Sequence, residues 1–183
     1  MSSRLLLVAA LSASMAACAA HLPPQPQGQT ASAEIEYPHV KRPNLVVSDL
    51  SRSLTIYRDI LGLGASEISV SGADSYSYPV FNIPEGAPIR GVALHEPGEQ
   101  RVLALTELAS LDLPGPASAP HSSAIVIGVV DLAAKFEQLA ALGLTITQPK
   151  RARGVDFDFI EQAFVDYDGH LIVLYEVLPA MAE

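Results

Sequence analysis

Asn44-Leu-Val-Val-Ser-Asp49-Leu50, a helical stretch and then Leu61-Gly62-Leu63 return about eighty residues later. The second copy is Ile125-Val-Ile-Gly-Val-Val-Asp131-Leu132, another helical stretch and Leu142-Gly143-Leu144. A repeat of that length is one supersecondary unit used twice. Neither copy can bury an apolar face alone. The two should pack together and leave a cleft, and function is to be sought there.

Working outward, the first copy predicts a strand over 43–48 and a helix over 51–61, with Leu54, Tyr57 and Leu61 on one face. Ser51 is placed to cap that helix and Gly62 to stop it. Strands are expected over 63–70, 76–83, 89–95 and 101–108, with turns at 71–74 and 96–99. Pro79 and Pro84 confine the 76–83 segment to an edge or a break. The Pro-rich stretch 111–120 joins the halves. The second half predicts a strand over 123–130 and a helix over 132–142, with Leu132, Phe136, Leu139 and Leu142 on one face and Gly143 as its stop. A strand over 144–148 and a loop holding Lys150-Arg-Ala-Arg153 follow. A hairpin then joins 159–165 to 170–178 through Asp166-Tyr-Asp168-Gly169. Each half reads β-α-β-β-β, an α+β fold.

The chain has 183 residues, 49% hydrophobic and 17% charged, enough for one ordinary domain with appendages. A net charge of −9 argues against nucleic acid, which needs clustered Lys and Arg. With no Trp and 6% aromatics there is no platform for stacked bases. One cysteine, Cys18, forbids an intrachain disulfide. Arg4, the apolar run Leu5–Leu11 and the small residues up to Cys18 read as a secretory signal, too short to span a bilayer. Pro, Gln and small residues over 21–33 read as an extended tether.

Two β-α-β-β-β modules, with Asp49-Leu-Ser-Arg-Ser-Leu-Thr-Ile-Tyr57-Arg-Asp-Ile-Leu61-Gly62 in the first and Asp166-Tyr-Asp-Gly169 in the second, resemble the vicinal-oxygen-chelate superfamily. That superfamily includes glyoxalase I, extradiol dioxygenases, fosfomycin-resistance proteins and bleomycin-binding proteins. The resemblance covers residues 40–178 and implies an open, curved mixed sheet around a concave cleft. In the superfamily's enzymes that cleft holds a divalent metal on ligands from the first and last strand of each module. Carried over, the ligand positions fall on Arg42, Ala104, Ala124 and Val173. None offers the imidazole, thiolate or carboxylate that such metals need, and a guanidinium has no lone pair to give. A slip of one residue brings in Lys41 or Pro43, Leu103 or Leu105, Ser123 or Ile125, and Ile172 or Leu174, which are no better. No metal and no cofactor are expected. Met15-Ala-Ala-Cys18 resembles a bacterial lipobox, with Met15 where Leu is usual, and implies an acylated Cys18. Ala19 in place of Asp favours the outer membrane, on its periplasmic side. The alternative is cleavage near Ala17 or Ala19 and release into the periplasm. The organisation expected is a signal over 1–18, a tether over 19–36 and a domain over 37–178, with modules at 40–108 and 121–178.

Alternation along the strands sorts their side chains. Arg42, Asn44, Val46, Val102, Ala104, Thr106, Ala124, Val126, Gly128, Leu171, Val173 and Tyr175 should face the hollow. Leu45, Val47, Leu103, Leu105, Ile125, Ile127, Ile172 and Leu174 should pack under the helices. The first set describes a largely apolar pocket for a small organic molecule. Arg42 would favour a carboxylate or phosphate, or else pair internally with Glu161 or Glu176. Asn44, Thr106, Tyr175 and Gln162 could orient the ligand, and Tyr76 and Tyr78 either line the mouth or pack. His39, His95, His121 and His170 read as surface or turn residues, Glu107 and Glu176 as solvated strand ends, and Asp156 and Asp158 as poor evidence for Ca²⁺. The function expected is a glyoxalase-like, metal-independent small-molecule binding protein held to the membrane by a lipid. The alternative is a lyase or dioxygenase with an unrecognised metal, or with acid–base work by Tyr175 or a glutamate. Whether the cleft closes within one chain or across a homodimer stays open.

Overall fold

β1 (Asn44–Val47) leads into α1 (Leu50–Leu54), whose helix widens into a π-helical segment over Thr55–Ile60. The computed structural model describes residue 38 and residues 40–115 and 118–179. The expected signal, Cys18, the tether and His39 lie outside the described residues. Asp49, not Ser51, caps α1, accepting the Arg52 N–H at 3.0 Å from an extended backbone. Gly62 at φ +86° stops this helix, and Gly143 at φ +76° stops its counterpart, as both sequence copies require.

The first module continues through β2 (Gly64–Ala65), β3 (Ser69–Val70), α2 (Ser77–Val80), β4 (Arg90–Glu96) and β5 (Glu99–Glu107). Its sheet runs β1-β5-β4-β2, with β3 also on β4 and β1 parallel to β5. The second module is β6 (Ile125–Gly128), α3 (Leu132–Ala141), β7 (Thr145–Ile146), β8 (Lys150–Arg153), β9 (Asp158–Val165) and β10 (Leu171–Val177). Its sheet repeats the order, β6-β10-β9-β7 with β8 on β9 and β6 parallel to β10. Asn44 lies opposite Ala104, and Val126 opposite Val173, so the register matches when counted from Asp49 and Asp131. The α+β fold of two β-α-β-β-β modules, each a mixed sheet, is as the sequence leads one to expect.

Three elements differ. The 63–70 strand breaks into β2 and β3. The 76–83 segment is not a strand. It turns helical at Ser77–Val80 and folds back so that Tyr78, Ile83, Ala87 and Ile89 pack with Leu108, and with Val46, Leu111 and Leu113 beside them. The Tyr78 hydroxyl donates to the Ala87 carbonyl at 3.0 Å, which fixes the fold-back. Lys150–Arg153 is an edge strand rather than a loop. It is held by antiparallel pairing with β9, all four side chains being exposed, with Lys150 opposite Glu161 and Arg153 bonded to Asp158.

One core serves both modules. Leu45, Val47, Leu103, Leu105, Ile172 and Leu174 are buried against Leu50, Tyr57, Phe136, Leu139 and Phe164, with Ile125 and Ile127 half-buried beside them. Burying each aliphatic side chain contributes about 1.5–3 kcal/mol. Val102 belongs to this core and not to the hollow. Arg101, just before it, sits at φ 63°, and that left-handed residue breaks the two-residue alternation.

Glu107 and Glu176 are not solvated ends. Each closes the last strand of its module onto the first turn of its helix. Glu107 Oε1 accepts the Leu50 N–H at 2.8 Å and Arg90 Nη2 at 2.7 Å, and a second Arg90 N–H bonds Oε2. Glu176 accepts the N–H groups of Asp131 and Leu132 at 3.2 and 2.9 Å. Those N–H groups have no partner inside the helix. The Arg90 bond holds the Glu107 carboxyl below its ordinary range against the opposing effect of burial.

The modules are tied by a buried polar cluster. The Tyr57 hydroxyl, in the π-helical turn, donates to Asp166 Oδ2 at 2.8 Å. Asp166 Oδ1 accepts the His170 and Asp168 N–H groups at 2.8 and 3.1 Å, and His170 Nδ1 stands 3.1 Å from both carboxylate oxygens. Ser48 donates its N–H and hydroxyl to Asp168 Oδ1, and Lys135 Nζ donates to the Ile60 carbonyl at 2.8 Å. Burial alone would raise the Asp166 pKa, but His170, Tyr57 and the backbone N–H outweigh it and hold the carboxyl low. The bond to Asp166 raises the His170 pKa against burial. Burial, then Asp166, pushes the Tyr57 pKa well up, so its hydroxyl stays a donor.

Two outcomes follow from these contacts. Glu107→Ala should lower stability by about 2–3 kcal/mol, measured by urea unfolding, because Leu50 N–H and Arg90 both lose their acceptor. The His170–Asp166 pair should contribute fully below the ordinary imidazole value of 6.5 and fade as pH rises through the higher folded value. Its acid limb should fade as pH falls through the depressed Asp166 value, below the ordinary 3.8. His170→Gln should therefore flatten the loss of stability on going from about pH 6 to pH 8; an unchanged slope in paired urea titrations would remove His170 from this role.

Candidate functional site

A cavity of about 770 Å³ opens on the hollow face of the first module. It exists because its floor is small. Gly91 lies opposite Thr106 and Ala93 opposite Ala104, so the centre of the sheet carries almost no side-chain bulk. Asn44 and Arg42 enter from β1 and the residues before it, and Ser66, Ser69, Ser71, Ser75 and Ser77 ring the wall.

The charge in this hollow is positive, although the chain as a whole is acidic. Lys41, Arg42 and Arg101 line it against one acid, Glu67. Arg42 makes no ion pair with Glu161, Glu176 or any other described residue. Its Nη1 is buried without a partner among the described residues, and Glu176 is committed to the start of α3. A buried donor of this kind needs an acceptor. Thr106 Oγ1 donates to Asn44 Oδ1 at 2.9 Å, which leaves the Asn44 amide N–H groups to donate. His95 also lines the cavity, with Nδ1 buried and unpartnered among the described residues. Its ring needs Gly64 opposite it, where an added Cβ would stand 2.7 Å from His95 Cδ2.

Arg42, Asn44 and Thr106 thus come together as their alternation predicts. Tyr175 does not join them. Its ring lies over Gly128, where a Cβ would meet it at 3.2 Å, and it lines a separate depression with Leu61, Val129 and Lys135. Gln162 is tied to the Thr147 carbonyl at 2.7 Å. Tyr76 lines the cavity mouth, whereas Tyr78 is buried packing. Sequence reasoning missed Lys41, Arg101, His95 and the serines. The spacing of Ser69 and Ser71, and of Ser75 and Ser77, was a legible signal of one polar wall. Arg101 left none, because a left-handed residue re-aims its side chain.

The family model described as Glyoxalase/Bleomycin resistance protein/Dioxygenase superfamily matches residues 37–174. The chain belongs to this superfamily. Among solved structures, a glyoxalase family protein from Bacillus cereus is similar at a TM-score of 0.63 and 14% identity, over 80% of this chain and 99% of that one. A glyoxylase/bleomycin resistance protein/dioxygenase domain from Frankia sp. EAN1pec is similar at 0.54 and 18%, over 79% and 96%. A point mutant of the fosfomycin resistance protein FosX from Listeria monocytogenes, complexed with Mn(II) and 1S,2S-dihydroxypropylphosphonic acid, is similar at 0.50 and 15%, over 77% and 93%. No curated protein matches the chain. At such identities the likeness shows the fold.

Within the glyoxalase superfamily the implied metal can be tested against the residues present. Arg42 and Ala104 line the cavity, and Ala124 and Val173 stand at the equivalent places of the second module. Among the described residues no three His, Cys, Asp or Glu side chains gather in a metal-holding group. These four side chains do not fit a divalent cation, and the guanidinium of Arg42 would repel one.

Proposed function

We propose that this glyoxalase-superfamily protein is exported, anchored by a lipid on Cys18, and binds a small organic anion in the first module's hollow without the superfamily's metal. Arg42 carries the reading, with Nη1 buried and lacking an acceptor among the described residues, in a cavity to which Lys41 and Arg101 add positive charge. A guanidinium takes carboxylate, phosphate or phosphonate oxygens in pairs, and such charge-assisted bonds are the strong ones. Asn44, Thr106 and the serine hydroxyls supply neutral partners. The FosX neighbour, whose structure holds a phosphonic acid, supports an oxyanion ligand on this fold. Here protein cations replace the cation that is bound there.

Tyr175 stands apart from this cavity and takes no part in the anion site of its own chain. Val126 is 58% exposed and, with Tyr175, leaves an apolar sheet face in the second module that a homodimer would cover. The enzymatic alternative, a lyase or dioxygenase-like reaction, would rest on His95 as the acid–base group in the cavity. Arg4, the run Leu5–Leu11 and Met15-Ala-Ala-Cys18 support export and acylation, and residues 19–36 would hold the domain clear of the membrane.

Phenylphosphonate and benzoate should bind measurably in calorimetry, and Arg42→Ala should weaken them about tenfold to a hundredfold. Equal binding by the variant would remove Arg42 from the site. EDTA should leave wild-type binding unchanged; loss of binding with release of stoichiometric zinc, iron or manganese would overturn the metal-free reading. Mass spectrometry of co-purifying molecules would name the ligand, and its conversion by the protein would favour the enzymatic alternative. In cells fed a labelled fatty acid, wild-type protein should carry label and fractionate with membranes, and Cys18→Ser should do neither; label retained by that variant would refute the anchor.

A further inference from the structure

A second cavity, of about 490 Å³, lies where the fold-back after α2 and the connector between modules meet the last hairpin. Val46, Ile83, Leu108, Leu111 and Leu113 give it apolar walls, and Asp168 and His170 give it a polar corner. Among the described residues Phe81 alone lines this cavity and the anion cavity alike. The Asp168 side chain is 5% exposed. Its Oδ1 takes both donors of Ser48, with Arg52 Nη2 at 3.8 Å. Its Oδ2 is buried and has no donor among the described residues. Buried carboxylate oxygens in native proteins nearly always have a donor. His170 is committed to Asp166 through Nδ1, so Nε2 is the ring atom left to meet a ligand.

We infer that this cavity is a second ligand site, taking a small, mostly apolar molecule whose hydroxyl or amide N–H donates to Asp168 Oδ2. The walls call for a hydrocarbon or aromatic body, and the buried oxygen calls for one donor. Arg52 and Ser48 already face the Asp168 charge, so a neutral head suffices. The free carboxylate oxygen itself takes a donor and not an acceptor, so it is the ligand's O–H or N–H that meets Asp168. The two cavities thus select opposite chemistry, an acceptor-rich anion in one and a neutral donor in the other.

The test compares 2-naphthol with 2-methoxynaphthalene, which share a ring system but differ in one O–H. Fluorescence titrations would use the full chain carrying Cys18→Ser, so that no acyl chain competes for the cavity. 2-Naphthol should bind at least about tenfold more tightly. Asp168→Asn should bring the ratio close to one. Leu111→Trp, which fills the cavity, should abolish binding of both probes while phenylphosphonate binding and the thermal midpoint hold. Arg42→Ala should leave naphthol binding unchanged, which separates this site from the anion site. Equal affinity of the two probes in the parent chain, a preference that survives Asp168→Asn, or binding that survives Leu111→Trp would each overturn the inference. If Asp168→Asn fails to fold, the parent ratio and the Leu111→Trp result still decide it.

Discussion

Both modules depend on one shared core. Both sheets turn their aliphatic face toward the same body of side chains, in which Tyr57, Phe136 and Phe164 join strand residues of either module. Edge-to-face contact between Phe136 and Phe164, with centroids 6.3 Å apart, crosses from a helix to a strand. Because the helix-side faces are spent on one another, the centre of the first hollow, at Gly91 and Ala93, is left to its own module. That is why the cationic cavity is lined by residues 41–106 alone.

Polar groups inside this arrangement settle what apolar packing leaves undone. Glu107 and Glu176 satisfy helix N–H groups that would otherwise be orphaned beside the core. The two copies solve this differently in detail. Asp49 is extended and caps its own helix, whereas Asp131 is left-handed at φ 57° and gives no side-chain cap, so Glu176 takes two N–H groups. Asp166 is the hub between modules and gathers a hydroxyl, an imidazole and two amides.

The fold was legible because duplication doubles every signal. Asp-Leu before each helix and Leu-Gly-Leu after it fix the boundaries twice over, and both glycines adopt the required positive φ. The site was legible only where strands are regular. Arg42, Asn44 and Thr106 share a face by period two and are found together. Parity names a face and not the hollow it belongs to, which is why Tyr175 was grouped with residues it does not approach. Arg101 and Val102 exchange roles at a left-handed residue, which no periodicity can register. The fold-back at 76–89 was unreadable for another reason: its apolar residues, Tyr78, Ile83 and Ile89, look like strand positions until Leu108 is known to lie beneath them.

The outer border of the second sheet has a bearing on how the protein behaves in company. β8 presents Lys150, Arg151 and Arg153 along an unpaired margin, all exposed. A bare strand margin invites another chain to extend the ribbon, and like charges there discourage it. The second sheet is thereby guarded on this side against endless stacking, because a copy brought up to β8 would meet three cations with three of its own.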